Sequence, residues 1–439
     1  MGFVGVPNDS NFCTNGLVAA DRSLHPHIWE MKYVYQYIDF QPALFSNNVI
    51  EVHNRHDFMS LKPYTLHWSI EQDGASVENG DIVLGDIKAG TKSKITIPFK
   101  SHLIPGKEYL LTLRASTHED LGYLPEGHEV AHAQWVLQDG SYAKATTAKA
   151  SVLKDDNEAI TIGDGNYSVS FSKTTGEMTS YIWQGHSMIE QGPQANYWRA
   201  ATDNDVANNM MKRCAVWKNA GEKAQLIDID SRQQGNAVAV TSIYLLEEAD
   251  AKQIVEYTCR GEGQIHVQMT FVPGSKPLPE MPRFGMRLIM PEEYQTMTWL
   301  GRGPHESYED RKTSALVGKY TADVWEQFHP YVRAQETGNK CDVRYFSLAN
   351  AQGLGLRFVG DEPLSVSAWN FRQSDIDYIS FSQGRRHGGS IVRQPLVWVN
   401  VDMKQMGVGG DNTWGAPVHS EYTITPHKWS YGFTIEPIK

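Results

Sequence analysis

Apolar and polar residues alternate along most of this chain in short runs, and turn-forming residues break the runs about every ten positions, which is the spacing of an all-β protein. Between Tyr35 and Asp139 the runs fall at 49–54, 65–70, 92–99, 109–115 and 132–137, with Gln72-Asp73-Gly74 supplying a hairpin turn. This pattern predicts an immunoglobulin-like β-sandwich over residues 30–140. Residues 141–156 are rich in Ala, Lys and Thr, have weak periodicity and read as a linker. From 157 to 439 the strand pattern resumes, at 167–171, 237–244, 264–271, 353–359 and 396–401 among others, with no second linker and no internal repeat. A set of that length predicts one large antiparallel supersandwich rather than several small modules. One helix is predicted within 205–220, capped by Asp203 or Asn204 and stopped by Gly221. Pro26 is placed to open a short helical turn or an extended connection.

One stretch departs from the alternation. Met406-Gly407-Val408-Gly409-Gly410-Asp411-Asn412-Thr413-Trp414-Gly415 sets four glycines around one tryptophan, between the run at 396–401 and a strand-like run at 421–424. Two readings compete here: a tight hairpin whose tryptophan covers the core, or a loop that holds an indole out beside Asp411 and Asn412. The second arrangement suits a sugar, whose apolar C–H face packs on an aromatic plane while carboxylate and amide groups bond its hydroxyls.

Composition narrows the partners. A formal net charge of −11 with no dense basic patch disfavours nucleic acid and anionic membranes, and the 12 Trp and 20 Tyr fit half-buried strands and aromatic-lined clefts. Cys13, Cys214, Cys259 and Cys341 lack the spacing of a metal site or redox pair and are expected to be reduced and mostly buried. No apolar run is long enough to span a bilayer and no signal peptide opens the chain, so the expected location is cytoplasmic, although a longer parent protein in the periplasm is compatible.

Two further segments carry chemistry-bearing residues. In 197–205, Asp203, Asn204 and Asp205 either face a ligand or cap the predicted helix. In 300–311, His305 and Glu306 form either an acid/base couple or an ion-paired turn. No carboxylate pair stands out for glycoside hydrolysis, and there is no phosphate loop, nucleophile elbow or zinc cluster.

Taken in order, the motifs resemble β-galactosidases of glycoside hydrolase family two. The resemblance is carried by Pro7-Asn8-Asp9 with Phe12-Cys13 and Asn15-Gly16-Leu17, and by Trp198-Arg199-Ala200 with Asp203-Asn204-Asp205. It continues through Gly301-Arg302-Gly303-Pro304-His305-Glu306-Ser307-Tyr308 with Asp310-Arg311, Tyr331-Val332 with Glu336 and Gly338, and Gly407–Asp411 with Trp414. The resemblance implies that residues 1–29 are the end of a catalytic (β/α)₈ barrel and its connection, 30–140 the immunoglobulin-like domain, and 157–439 a supersandwich similar to galactose mutarotases. It places both catalytic glutamates and the magnesium ligands upstream on the barrel, so no catalytic residue is assigned in this chain, which is expected to be inactive alone. Phe12, through its carbonyl, and Asn15, through its side-chain oxygen, match ligands of a sodium ion beside the galactosyl 6-hydroxyl. Asn8 matches a position near the magnesium water shell, and Trp414 matches a tryptophan that packs on the substrate. The implied partners are a β-galactoside and the catalytic barrel of the parent enzyme, with a homo-oligomer left open. Two alternatives remain: a non-catalytic carbohydrate-binding or assembly module, and an aldose-1-epimerase-like enzyme using His305 with Glu306 or Glu336.

Overall fold

A computed structural model describes residues 16–44, 48–142, 151–379, 387–412 and 414–439. The chain is all-β and divides into two units.

The first unit spans His27–Tyr142 and takes in Thr313–Lys319 from much later in the chain. It opens with helix α1 (His27–Val34), directly after Pro26, and continues through β1 (Ile38–Leu44), β2 (Val49–Asn54), β3 (Tyr64–Gln72), β4 (Ala75–Val83), β5 (Lys92–Thr96), β6 (Tyr109–Thr117) and β7 (Glu129–Gln138). These strands form two antiparallel sheets, ordered β1-β2-β5 and β4-β3-β6-β7. Alternation puts Ile50 and Val52 of one sheet and Leu66, Trp68, Ile70, Leu111 and Leu113 of the other into a shared apolar core. The late segment is bound to this unit by specific hydrogen bonds. Glu30 of α1 accepts the amides of Thr313 and Ser314 at 3.1 and 3.0 Å, and the Gln134 side chain both accepts from Val317 N and donates to Val317 O at 2.8 Å.

The second unit begins, in its strands, with a five-stranded sheet: β8 (Val152–Asp155), β9 (Ala159–Gly163), β10 (Tyr167–Ser172), β11 (Met178–Trp183) and β12 (His186–Ser187). Strand β8 lies inside the stretch that reads as a linker, because Leu153 packs against the core when β8 pairs β9, a contact that the weak periodicity of the stretch does not reveal. The large sheet contains β13 (Gln191–Asn196), β14 (Gln225–Gln234), β15 (Ala237–Leu246), β16 (Ala251–Cys259), β17 (Ile265–Pro273), β18 (Arg283–Pro291), β19 (Thr296–Gly303), β20 (Leu316–Asp323), β21 (Lys340–Ala349), β22 (Gly355–Trp369), β23 (Leu396–Gln405) and β24 (Trp429–Ile438).

Strand β22 is where this sheet forks. One of its edges pairs β21, while the other pairs β24 along residues 355–360 and β23 along 365–369. One wing therefore runs β24-β17-β16-β15-β14 and the other β23-β18-β13. Between them lies an aromatic core in which Tyr197 meets Trp217, Phe271 and Phe284, and Phe284 meets Tyr431.

Strand β23 is buried on both faces. Val397, Val399 and Val401 join the apolar core, while the alternate positions Trp398, Asn400 and Asp402 turn to a polar interior. There Asn400 donates to Ser367 at 3.0 Å and accepts from Asn196 at 3.3 Å.

The helix expected over 205–220 is broken into α2 (Asp203–Ala207), α3 (Met210–Arg213) and a 3₁₀ turn at Ala215–Trp217. Its cap is Thr202, which forms a capping box with Asp205, and Asn209 in the left-handed region (φ 59°) separates the two short helices. The strand expected at 421–424 is a 3₁₀ turn at Ser420–Tyr422, followed by Ile424, fully buried in the core. Cys214, Cys259 and Cys341 are free and buried, and Cys13 lies outside the described residues. Among the described residues no helix is long and apolar enough to cross a membrane.

Candidate functional site

The glycine-rich stretch is not a hairpin, because the strands on either side of it belong to different wings of the fork. Residues 406–412 and 414–428 lie between the strands of the two wings, and Trp414 stands among them with 84% of its surface exposed. The indole does not cover the core.

The loop's backbone is fixed at its base from several directions. Gly407 N donates to Tyr422 O at 2.9 Å, and the Gly407 carbonyl accepts from Arg199 Nη2 at 2.9 Å. The Val408 carbonyl accepts from Asn204 Nδ2 at 3.2 Å. Asp310 takes the next two amides, one on each carboxylate oxygen: Val408 N at 3.0 Å and Gly409 N at 2.7 Å. A Cβ at Gly407 or Gly409 would lie 2.7 or 3.0 Å from Asp310 Oδ2, so the carboxylate's approach explains the glycines there. Farther along, Asn412 Oδ1 accepts from Trp414 N at 2.8 Å, and Asp411 pairs with His419 at 2.9 Å. The bond to Asp411 holds the His419 imidazole above its ordinary pKa.

Below the loop lies a buried ionic layer. Arg199 Nη2 reaches Asp205 at 3.1 Å. Arg283 donates to Asp402 at 2.7 Å and to Glu336 at 3.1 Å, with all three side chains sealed from solvent. Gln405, the last residue of β23 before the loop, donates to Glu336 at 3.1 Å and Asn339 at 3.0 Å. Burial raises the Asp205 and Glu336 carboxyls despite their guanidinium partners and pushes Asp402 up to about 8. Glu306 behaves differently. Burial alone would raise it, but Arg311, the Gly338 amide at 2.7 Å and the Tyr331 hydroxyl outweigh that and hold it below the usual carboxylate range.

Residues 16–26, which belong to the second unit, join the same layer. Val18 bridges Leu24, and the buried His25 ring lies parallel to Tyr331 at 6.0 Å with its Nδ1 3.0 Å from His329 Nε2. The motifs at 198–205, 301–311, 331–338 and 407–414 thus meet around one loop. The sites expected at Asn8, Phe12 and Asn15 lie outside the described residues.

The four carboxylates built into this layer serve as ties. Asp205, Glu306, Glu336 and Asp402 each face a guanidinium and are nearly or fully sealed from solvent, which is a poor placement for a group that must reach a sugar. The epimerase alternative needs a His–Glu couple open to its substrate, and both Glu306 and Glu336 are committed elsewhere. Asp310 enters the sequence patterns only as a member of the 301–311 motif, with no role assigned, and Arg283 and Asp402 do not enter them at all. A signal exists for the last two, since Arg283 and Asp402 interrupt otherwise apolar strands and must be paired if those strands are buried.

Because Trp414 is so exposed, Trp414→Ala is expected to leave stability within about 0.5 kcal/mol of the parent chain. A loss of several kcal/mol in urea denaturation would assign the indole a packing role.

Fold and site together define an all-β protein that presents an aromatic residue on a loop anchored to a buried ionic layer. The chain belongs to the β-galactosidase small-chain family: the family described as "Beta galactosidase small chain" matches residues 163–435, and "Beta-galactosidase, domain 4" matches 50–138. It corresponds to the C-terminal portion of such an enzyme. Its relatives include the β-galactosidases of Priestia megaterium (32% identical over 99% of this chain and 42% of that one), Halalkalibacterium halodurans (30%, 95% and 41%) and Streptococcus thermophilus (29%, 98% and 41%). The chain therefore spans about two fifths of the length of these curated relatives. Among solved structures, galactose 1-epimerase from Lactobacillus acidophilus is similar over 66% of this chain and 99% of its own, at 10% identity and a TM-score of 0.34, a loose likeness that carries no functional weight.

Proposed function

We propose that this chain is the C-terminal part of a retaining β-galactosidase, supplying one wall of the substrate cleft and the scaffold behind it, while the catalytic glutamates come from a barrel outside this chain. The observation that carries the reading is an indole held 84% exposed on a loop whose base is fixed by Asp310, Arg199 and Asn204. A rigid aromatic platform costs little ordering entropy when a pyranose stacks on it, which favours binding and orientation rather than proton transfer. In the same reading the acid/base and nucleophile of a retaining mechanism, two carboxyl groups about 5–5.5 Å apart, belong to the barrel. The tie of each of the four buried carboxyl groups to a guanidinium supports that division of labour.

Under this proposal Phe12 and Asn15 would contribute to a sodium site next to the galactosyl 6-hydroxyl, and Asn8 would lie near magnesium. All three fall outside the described residues, and among the described residues no group of three or more His, Cys, Asp or Glu is arranged to hold a metal ion.

Mixing this chain with a barrel-bearing partner is expected to restore hydrolysis of a chromogenic β-galactoside that neither component hydrolyses alone. A demonstrably formed complex without activity would sink the proposal. In the active complex Trp414→Ala is expected to raise KM far more than it lowers kcat, the pattern of lost binding.

A further inference from the structure

We propose that Asp310 is the positioning residue for Trp414, gripping two consecutive amides at the root of the loop so that the indole is presented in one orientation. The inference rests on the reading of Trp414 as a wall of the substrate cleft and adds the group that aims it.

Two successive backbone N–H groups that point the same way make a concave anion seat, and Asp310 fills this one with one oxygen per amide. Its approach is possible because Gly407 and Gly409 have no Cβ; a side chain at either would meet Oδ2 first. The neighbouring carbonyls are held from the other direction, Gly407 O by Arg199 and Val408 O by Asn204, so peptide units 407–409 are restrained through both donors and acceptors. Asp310 itself sits in the turn closed by the Tyr308 and Arg311 backbones at 3.0 and 2.8 Å, and Arg311 is tied to the buried Glu306. The grip is thus mounted on the ionic layer, and five residues beyond it the loop carries Trp414.

A carboxylate that merely satisfied two amides would affect stability alone. A positioning residue must also act through Trp414, and that difference can be measured in two ways. In the full chain labelled with 5-fluorotryptophan, the resonance that Trp414→Phe removes is assigned to Trp414. Asp310→Ala is expected to shift or broaden that resonance while the buried tryptophans Trp198 and Trp299 keep theirs. An unchanged Trp414 resonance overturns the proposal. In the complex with the barrel-bearing partner, Asp310→Ala is expected to raise KM about tenfold, the size expected for a lost charge-assisted bond, with a smaller change in kcat. Asp310→Asn, which keeps one acceptor in place, should fall between the two, and Asp310→Ala should add nothing on a Trp414→Ala background. Additive losses overturn the proposal. A resonance that moves while KM does not upholds Asp310 as the residue that places Trp414 and instead rejects the cleft-wall reading. If Asp310→Ala does not fold, Gly409→Ala presses on the same contact from the opposite side and must move the Trp414 resonance; a folded Gly409→Ala with an unmoved resonance overturns the proposal.

Discussion

Replacing Arg283 with methionine is expected to destabilise the second unit by about 3–5 kcal/mol, the cost of leaving buried carboxylates without their cation. Arg283 is the guanidinium shared by Asp402 and Glu336, at 2.7 and 3.1 Å, and all three side chains are sealed. Methionine fills similar space, so packing loss is small and the charge imbalance dominates. Adding Glu336→Gln and Asp402→Asn to Arg283→Met should recover much of the loss, because a neutral buried set does not carry the uncompensated charge. Arg283→Lys should be intermediate, since an ammonium is a point charge and cannot span two carboxylates as a fork does. The pH dependence has a definite sign. Asp402 is raised from an unfolded value near 3.8 to about 8, so the folded state holds a proton that the unfolded chain has already lost, and this group's contribution falls as pH rises through that window. Without Arg283 both carboxyls move higher still, so the deficit of Arg283→Met should be larger at pH 8 than at pH 5. The measurement is urea denaturation followed on the second unit's transition, because a chain with two units need not unfold in one step. A deficit under about 1 kcal/mol at pH 8 would mean that water reaches the layer.

Glu306→Gln is expected to have an effect of similar size whose pH dependence falls in the acid range instead, because the Glu306 carboxyl is held low rather than raised. Glu306 accepts from Arg311, Tyr331, Thr337 and the Gly338 amide, and its carboxyl is held below the ordinary range against the pull of burial. A depressed pKa means that the stabilisation is fully present above the unfolded value, near 4.5, and is lost as pH falls through the lower folded value. The gap between wild type and Glu306→Gln, about 3–5 kcal/mol at neutral pH where Arg311 is left without its counter-ion, should therefore narrow in acid. Stability measured from pH 3 to 7 reads this directly. A gap that stays constant across the range would assign Glu306 a steric role only.

The strands of both units were legible where their burial is two-fold periodic: Tyr64–Gln72 in the first and Tyr167–Ser172 in the second alternate in composition as they do in solvent exposure. The broken helix was less legible. Apolar spacing across 205–220 is compatible with one element, but Asn208-Asn209 lets the chain turn left-handed, and a local polar pair of that kind does not announce its backbone conformation. Residues 421–424 look like a strand because Tyr, Thr and Ile favour one, yet Ile424 is drawn into the core as a single anchor. At the site, the glycines and the tryptophan of the loop are visible in sequence, but what holds them is not. Asp310 lies almost a hundred residues from the amides it binds, and nothing local in Tyr308-Glu309-Asp310-Arg311 distinguishes a carboxylate that grips another loop from one that faces water. His305 and Glu306 read as a catalytic couple or an ion-paired turn, and the geometry around Glu306 favours the second.

The segment Thr313–Lys319 sets an order on assembly. The two sheets of the first unit, β1 to β7, are complete by Gln138, yet the partners of Glu30 and Gln134 are not made until residues 313–317. During synthesis the early sandwich must wait with those groups open to water while more than half of the second unit's strands emerge. No single cut in the chain yields both units whole: severing it after Tyr142 leaves the sandwich without its last segment, and severing it after Lys319 divides the large sheet. The two units are thus sewn together by the path of the backbone, a bond that does not depend on the strength of any surface between them.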